Sequence, residues 1–246
     1  MAAPFTNDTF FNGKLVVRQH RTGYRYSIDA IILSHSIKAR PGERVLDLGT
    51  GCGIVPIISA FQFPEVLFYG VEIQPELAEV AGANVTANHM EERIHIVQQD
   101  LKTLEANQFK APMDIVVSNP PYRRVSSGRI NPNAQKAVAR HEIKTTLEEV
   151  VAAAGRILKT AGKFIVIYSA ERLTDLLFTL RAARIEPKYL RCIHSKQDAE
   201  AKLVLLEGVK MANPGMKIAA PLVIYADDGS YSAEVAAMFH MPADVS

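Results

Sequence analysis

Short apolar runs alternate with longer amphipathic stretches along most of this 246-residue chain. Apolar runs of a few residues predict buried strands, and apolar positions that recur every three or four residues predict helices. Strands are expected at about residues 44–48, 66–71, 94–97, 114–118 and 163–168. Helices are expected at about residues 54–61, 75–88, 134–141, 145–159 and 171–183. Strands that alternate with helices predict a doubly wound, mostly parallel α/β sheet.

Two further apolar runs suggest how this sheet ends. Residues 189–194 and 203–209 flank a polar turn at 195–198, which predicts an antiparallel hairpin at the sheet edge. The expected fold is therefore a seven-stranded, Rossmann-like sheet with an antiparallel edge hairpin. The length suffices for one such domain, which we divide into an N-terminal arm (1–28), a core (29–209) and a C-terminal extension (210–246).

The most informative turn follows the first of the parallel strands. In Val45–Ile54, whose sequence is VLDLGTGCGI, glycines occupy positions 49, 51 and 53, and an apolar helix begins at Ile54. Glycine lacks a Cβ, so the backbone can adopt positive φ and a ligand can lie against it. A strand, a glycine turn and a helix form the first half of a nucleotide-binding unit.

Two features of this turn favour S-adenosylmethionine over a dinucleotide as its ligand. The dinucleotide fingerprint G-x-G-x-x-G needs glycine or alanine at position 54, where isoleucine stands. Asp47 would repel a pyrophosphate, whereas S-adenosylmethionine carries a sulfonium and an ammonium and no phosphate. A glycine turn with only a structural role is the third possibility.

Carboxylates follow the next two strands. Glu72 could accept hydrogen bonds from both ribose hydroxyls, and Asp100 could accept one from an adenine amino group. A surface glutamate and a helix-capping aspartate are the alternatives. Because ligands bind outside the carboxyl ends of parallel strands, all these positions are expected on one rim. The candidate cofactor-binding residues are Asp47, Gly49, Thr50, Gly51, Gly53, Glu72, Ile73, Asp100, Leu101 and Asn119.

The fourth strand runs directly into Asn119-Pro120-Pro121-Tyr122, where two prolines stiffen the turn. A planar amine that attacks a methyl group on sulfur must develop positive charge. The Asn119 side chain and the Pro120 carbonyl could accept its two hydrogens and stabilise that charge, and Tyr122 could stack on the acceptor. The candidate catalytic residues are therefore Asn119, Pro120 and Tyr122, although a stiff turn without a catalytic role is the alternative.

Positive charge is concentrated in two segments, although the net charge is only +2. Residues 1–26 and 119–144 are both net positive, so the rest of the chain is net negative. Such a distribution is what a phosphate-binding face requires, although ordinary solvated loops would also produce it. The candidate RNA-binding cations are Arg18, Arg21, Arg25, Arg123, Arg124, Arg129, Lys136 and Arg140.

Composition excludes several other classes. No apolar run is long enough to cross a membrane, and residues 1–11 lack the pattern of a signal peptide, so neither insertion nor secretion is expected. Cys52 and Cys192 lie in apolar surroundings far apart in sequence, which indicates core residues in a reducing compartment. We expect a cytoplasmic protein that binds no metal; the sequence does not indicate an oligomeric state.

Two motifs together resemble the class I S-adenosylmethionine-dependent amino-methyltransferases: Asp47-Leu48-Gly49-Thr50-Gly51-Cys52-Gly53 and Asn119-Pro120-Pro121-Tyr122. Two local features, Tyr26-Ser27-Ile28-Asp29-Ala30 and Ala139-Arg140-His141-Glu142, are similar to bacterial tRNA(Val) adenine-37 N6-methyltransferases. The resemblance implies methylation of the adenine beside the anticodon, with tRNA as the partner. It also implies that Asp29 lines the cofactor pocket and that Arg140 lies on the RNA side.

Related enzymes of this class suggest alternative functions. Some methylate a release-factor glutamine and others methylate guanine N2 of ribosomal RNA. The former carry a helical N-terminal domain and the latter often a duplicated domain, whereas only 43 residues precede the strand at Arg44. A non-enzymatic alternative is a cofactor-binding protein that binds RNA, against which the intact Asn-Pro-Pro-Tyr motif argues.

Overall fold

The computed structural model describes residues 5–21, 25–120 and 145–240. Its strands are β1 (Phe5–Phe10), β2 (Leu15–His20), β3 (Arg44–Leu48), β4 (Leu67–Glu72), β5 (Ile94–Gln98), β6 (Met113–Ser118), β7 (Leu158–Ser169), β8 (Ile185–His194), β9 (Ala201–Lys210), β10 (Lys217–Ile218) and β11 (Leu222–Val223). Its α-helices are α1 (Ile28–Ser36), α2 (Ile54–Gln62), α3 (Pro75–Ala87), α4 (Leu147–Ile157), α5 (Leu173–Ala182) and α6 (Ala233–Ala237).

One large sheet organises these elements. Its strands follow the order β10-β8-β9-β7-β6-β3-β4-β5, and β11 also pairs with β8. The strands from β7 to β5 in this order are mutually parallel, and β9 is antiparallel to both β7 and β8. The predicted doubly wound sheet with its antiparallel edge hairpin is therefore confirmed. The two short strands β10 and β11 extend the predicted edge beyond β8.

Apolar side chains alternate between the two faces of the central strands. Val45 and Ile115 belong to the buried cluster that contains α1 and α2, whereas Leu46 and Val116 belong to the cluster with α4 and α5. Because successive side chains of a strand point to opposite faces, continuous apolar runs such as those of β3 and β6 must be covered by helices on both sides. The burial of both faces fixes the position of each strand, and therefore of the carboxyl ends where ligands are expected to bind.

The structure corrects two predicted segments. The N-terminal segment, where the sequence predicts an arm with one short strand at 14–17, forms the antiparallel hairpin β1–β2, a separate two-stranded sheet. β7 begins at Leu158, before the expected break at Ala161-Gly162, and its pairing with β6 shifts register there. Ala161 adopts a φ of 61°, so the predicted break is a bulge within the strand. The expected helix at 134–141 lies outside the described residues.

No helix within residues 5–21, 25–120 and 145–240 is long and apolar enough to cross a lipid bilayer.

Candidate active site

The carboxyl ends of four neighbouring strands, β6, β3, β4 and β5, open onto one cavity of about 270 Å³. This volume is close to the range of small-molecule sites. The predicted positions in its wall are Arg25, Asp29, Gly49, Gly51, Glu72, Ile73, Asp100, Leu101, Asn119 and Pro120. The structure therefore brings together residues from all four predicted strand ends.

The glycine loop between β3 and α2 has the backbone conformation that its sequence predicts. Gly49, Gly51 and Gly53 adopt φ values of 76°, 57° and 81°. Residues with a Cβ rarely adopt such backbone angles. Gly49 and Gly51 lie in the cavity wall. The loop thus presents bare backbone to a ligand.

Four amides of this loop already donate hydrogen bonds within the protein. Gly49 and Thr50 donate to the Val71 carbonyl, each at 2.9 Å; Gly51 donates to the Glu72 carboxylate at 2.9 Å; Gly53 donates to the Thr50 carbonyl at 3.0 Å. A pyrophosphate in a dinucleotide site depends on amides that point at the phosphate. Because these four are engaged, the geometry disfavours a dinucleotide.

Glu72 connects the glycine loop to the start of α3. It is only 5% exposed, and its two carboxylate oxygens accept from the Gly51 amide and from the Gln74 amide, both at 2.9 Å. A carboxylate oxygen has two acceptor positions, so Glu72 can still accept hydrogen bonds from a ligand in the cavity. The contact with a ligand was predicted from the sequence, whereas the contact with the Gly51 amide was not.

Three predicted cofactor residues, Asp47, Thr50 and Gly53, are not part of the cavity wall. Asp47 is 3% exposed, and burial raises its pKa to about 7, with a further contribution from the charge of Glu72. The Thr50 hydroxyl opposes this rise in pKa, although it makes no hydrogen bond of good geometry within the described chain. A direct role for these three residues in binding stays a prediction.

Thr50 fits into the loop because β4 has a glycine beside it. A Cβ added to Gly70 would lie 2.9 Å from both Oγ1 and Cγ2 of Thr50, closer than real Cβ atoms approach other atoms. Gly70 therefore provides the space that the side chain of Thr50 occupies. No local sequence pattern indicates this requirement.

Asn119 and Pro120 directly follow β6, which pairs with β3 so that Ser118 lies opposite Leu48. Asn119 therefore emerges beside Gly49, and both line the cavity. The Ser118 hydroxyl donates to the Leu48 carbonyl at 2.9 Å, which reinforces this pairing. The remaining predicted residues of this segment, Tyr122, Arg123, Arg124, Arg129, Lys136 and Arg140, lie outside the described residues.

Asp100 serves as a helix cap and as part of the cavity wall. Its carboxylate accepts from the Lys102 amide at 2.9 Å, at the start of a short 3₁₀ helix, Leu101–Thr103. The same residue lines the cavity, so the capping alternative and a ligand contact are compatible.

The wall also includes residues that were not predicted from the sequence: Ser27, Val71, Gln74, Leu77, Gln99 and Thr145. Ser27, Gln74 and Gln99 are close neighbours of predicted residues, whereas Thr145 is recognisable only from the fold.

Comparison with known proteins identifies the family. Residues 27–180 match the family model of the methyltransferase small domain. The chain belongs to this methyltransferase family. Two relatives from strains of Porphyromonas gingivalis are named tRNA1(Val) (adenine(37)-N6)-methyltransferase. One is 29% identical over 235 residues, with 92% of this chain and 91% of the relative covered. The other is 31% identical over 196 residues, with 78% and 76% covered.

A solved structure supports the fold of this methyltransferase. It is described as a predicted O-methyltransferase from Agrobacterium tumefaciens, with a TM-score of 0.69 and 18% identity, and the match covers 88% of this chain and 100% of that one. The predicted enzyme class and cofactor are confirmed: the protein is an S-adenosylmethionine-dependent methyltransferase.

The charges in the cavity wall suit this cofactor. Three carboxylates, from Asp29, Glu72 and Asp100, line the cavity together with the guanidinium of Arg25. Carboxylates favour a ligand with ammonium, sulfonium and hydroxyl groups, and a guanidinium favours the carboxylate of its methionine part. The donor set of the cavity therefore fits S-adenosylmethionine better than a phosphorylated nucleotide.

Proposed function

We propose that this methyltransferase acts in the cytoplasm on N6 of an adenine in tRNA, at adenine 37 of a valine tRNA. Two relatives that carry this name match about nine-tenths of both chains. The main structural support is the position of Asn119 beside Gly49, because it brings a residue with an amide side chain to the cavity next to the cofactor loop.

In this proposal the bound cofactor supplies a methyl group on a positively charged sulfur. Asn119 and the Pro120 carbonyl hold the amine of the base by accepting hydrogen bonds from its two N–H groups. These bonds strengthen as the nitrogen becomes positively charged, so they stabilise the transition state more than the bound substrate. The cofactor would supply the methyl group and leave as the neutral thioether, while the amine held by Asn119 and Pro120 would lose one N–H proton to solvent.

The cofactor contacts follow from the positions in the wall. We assign Glu72 to the ribose hydroxyls, Asp100 to the adenine amino group and Asp29 to the cofactor pocket. Ile73 and Leu101 add apolar contacts beside them. Asp47, Thr50 and Gly53 support the loop from outside the wall.

The tRNA contacts are assigned to the two basic segments. Arg18 and Arg21 are exposed near the end of β2, and the Arg18 guanidinium lies over the Phe5 ring, 5.6 Å from its centre. Arg25 lies at the cavity wall and donates to the Thr6 hydroxyl at 2.9 Å. Together with the basic residues of 119–144, these cations would hold the RNA backbone while the target base leaves its stack.

Methyl transfer from labelled cofactor tests this proposal. The substrates are a valine tRNA transcript, the same transcript with guanine at position 37, ribosomal RNA and a release factor. We expect incorporation only into the first, and nuclease mapping should place the label at adenine 37. Equal labelling of the guanine-37 transcript, or preference for one of the other substrates, would contradict it.

A further inference from the structure

One side chain joins the hairpin β1–β2 to the glycine loop. Asn84 on α3 is 1% exposed, and its side-chain oxygen accepts from the Arg18 amide at 2.8 Å. Its side-chain nitrogen donates to the carbonyl of Arg18 at 2.7 Å and to that of Cys52 at 2.9 Å. An asparagine amide has two N–H donors, so both are used, one toward the hairpin and one toward the loop.

The Cys52 carbonyl belongs to the glycine loop, one residue after Gly51, which lines the cavity. It lies between Gly51, whose amide is held by Glu72, and Gly53, the residue directly before α2. The hydrogen bond from Asn84 fixes the orientation of the peptide that joins residues 52 and 53. Glu72 and Asn84 therefore hold this segment of the loop from two sides.

We propose that Asn84 is a positioning residue for the cofactor site. It lies outside the cavity wall, and it holds the glycine loop in its binding conformation through the Cys52 carbonyl. Through its two bonds to Arg18, the same side chain links that conformation to the N-terminal hairpin. Ordering of either element then favours ordering of the other, because both share one buried amide. This inference goes beyond the proposed function and holds for any methyl acceptor.

The residue that caps the carboxyl end of α3, Asn88, provides a matched control. Asn88 makes the same pair of bonds to Val16, two residues before Arg18 on β2: its oxygen accepts from the Val16 amide at 2.9 Å, and its nitrogen donates to the Val16 carbonyl at 2.7 Å. Its second donor bonds the Asn84 carbonyl within the helix. Asn88 thus anchors the hairpin, and its side-chain hydrogen bonds within the described residues do not include the glycine loop.

Asn84→Ala and Asn88→Ala separate these two roles. Both variants lose two bonds to β2, so both should unfold at lower temperature. Asn84→Ala should bind S-adenosylhomocysteine about tenfold more weakly in calorimetry, with faster hydrogen exchange of the amides of Gly49, Gly51 and Gly53. Asn88→Ala keeps the Asn84 link between hairpin and loop, so its affinity and loop exchange should change much less. Equal losses of affinity in both variants, or no loss in either, would overturn the proposal.

A measurement on the unaltered protein covers the case in which Asn84→Ala does not fold. Saturation with S-adenosylhomocysteine should slow hydrogen exchange of the Arg18 amide, which is bonded to Asn84, several-fold more than that of the Val16 amide, which is bonded to Asn88. Equal changes at the two amides would contradict the coupling. Neither experiment needs a methyl acceptor, so both results are independent of the tRNA proposal.

Discussion

The Glu72 carboxylate accepts a 2.9 Å hydrogen bond from the backbone amide of Gly51. This contact joins the end of β4 to the glycine loop after β3, and both residues line the cavity. A single side chain therefore shapes the loop and also faces the ligand. The affinity for the cofactor should depend on Glu72 through both effects.

We expect Glu72→Gln to weaken cofactor binding by about 10- to 100-fold. Glutamine replaces one acceptor oxygen with an NH₂ group, so one hydrogen bond, from the amide of Gly51 or of Gln74, is lost because two donors would face each other. Hydrogen bonds to charged groups contribute about 1.5–3 kcal/mol each. Calorimetry with S-adenosylhomocysteine measures the loss. Glu79→Gln, on the exposed face of α3, is the control and should bind normally. An affinity of Glu72→Gln within threefold of the unaltered protein would contradict this role.

The buried carboxyl of Asp47 should make stability depend on pH. Burial raises its pKa from 3.8 to about 7. Between pH 4 and pH 7 the folded protein keeps a proton that the unfolded chain has released, so the contribution to the free energy of unfolding is full below pH 4 and falls as pH rises to 7. The unfolding temperature of the unaltered protein should therefore fall relative to that of Asp47→Asn across this range.

Thermal unfolding of both proteins from pH 4.5 to pH 8 tests this expectation. Asp198→Asn removes an exposed carboxyl instead, and its difference from the unaltered protein should show no such trend. A difference between the unaltered protein and Asp47→Asn that stays constant over the range would show that Asp47 is ionised throughout.

Gly70→Ala should destabilise the glycine loop. The added methyl group would lie 2.9 Å from two atoms of Thr50, and overpacking of a buried site costs about 1–3 kcal/mol. Gly82→Ala is the matched control, because its methyl group would meet nothing within 4 Å on α3, where alanine is the better helix former. We expect a lower unfolding temperature and weaker cofactor binding for Gly70→Ala only. Normal affinity in Gly70→Ala would show that Thr50 can move without disturbing the loop.

The sequence predicts those parts of the fold that are governed by local patterns. The five central parallel strands are apolar runs bounded by turns, and β8 and β9 flank a recognisable polar turn, so all seven strands were expected. Five of them lie within two residues of the expected bounds, whereas β7 and β8 begin four to five residues earlier than expected. β1 was missed because FTNDTF is mostly polar, and its pairing with β2 depends on tertiary contacts. The bulge near Ala161 resembles a strand break in sequence, since only pairing with β6 shows that the strand continues.

The site was predictable where residues follow strand ends. Glu72, Asp100 and Asn119 lie on one rim because parallel strands end on the same edge. The support for the loop was not predictable. Asn84 contacts Cys52 across 32 residues, and Gly70 makes room for Thr50 from a neighbouring strand. Neither relationship leaves a local pattern in the chain.

Asn119→Ala should separate cofactor binding from methyl transfer. Removal of one acceptor that stabilises developing charge typically lowers turnover by about 10²-fold or more, whereas affinity for S-adenosylhomocysteine should change little. Single-turnover methylation of the valine tRNA transcript and calorimetry measure the two quantities. Turnover within a factor of two of the unaltered protein would contradict the catalytic role of Asn119.

Removal of three arginines after the Asn-Pro-Pro-Tyr motif should flatten the salt dependence of tRNA binding. If Arg123, Arg124 and Arg129 each contact a phosphate, alanine at all three should reduce the slope of log K against log salt by about two to three, because fewer counterions are released on binding. The control replaces Lys110, Arg181 and Arg184, which lie near the amino ends of β6 and β8, on the edge of the sheet opposite the cavity.

Both triple variants lose the same charge, so a general electrostatic effect should weaken tRNA binding equally in the two. If the arginines next to the motif form a specific phosphate-binding face, only their removal should reduce the slope of log K against log salt. Filter binding from about 50 to 200 mM salt covers the range in which phosphate contacts dominate affinity. An unchanged slope in the variant lacking Arg123, Arg124 and Arg129 would assign RNA binding elsewhere, with Arg18, Arg21 and Arg25 of the N-terminal segment as the next residues to replace.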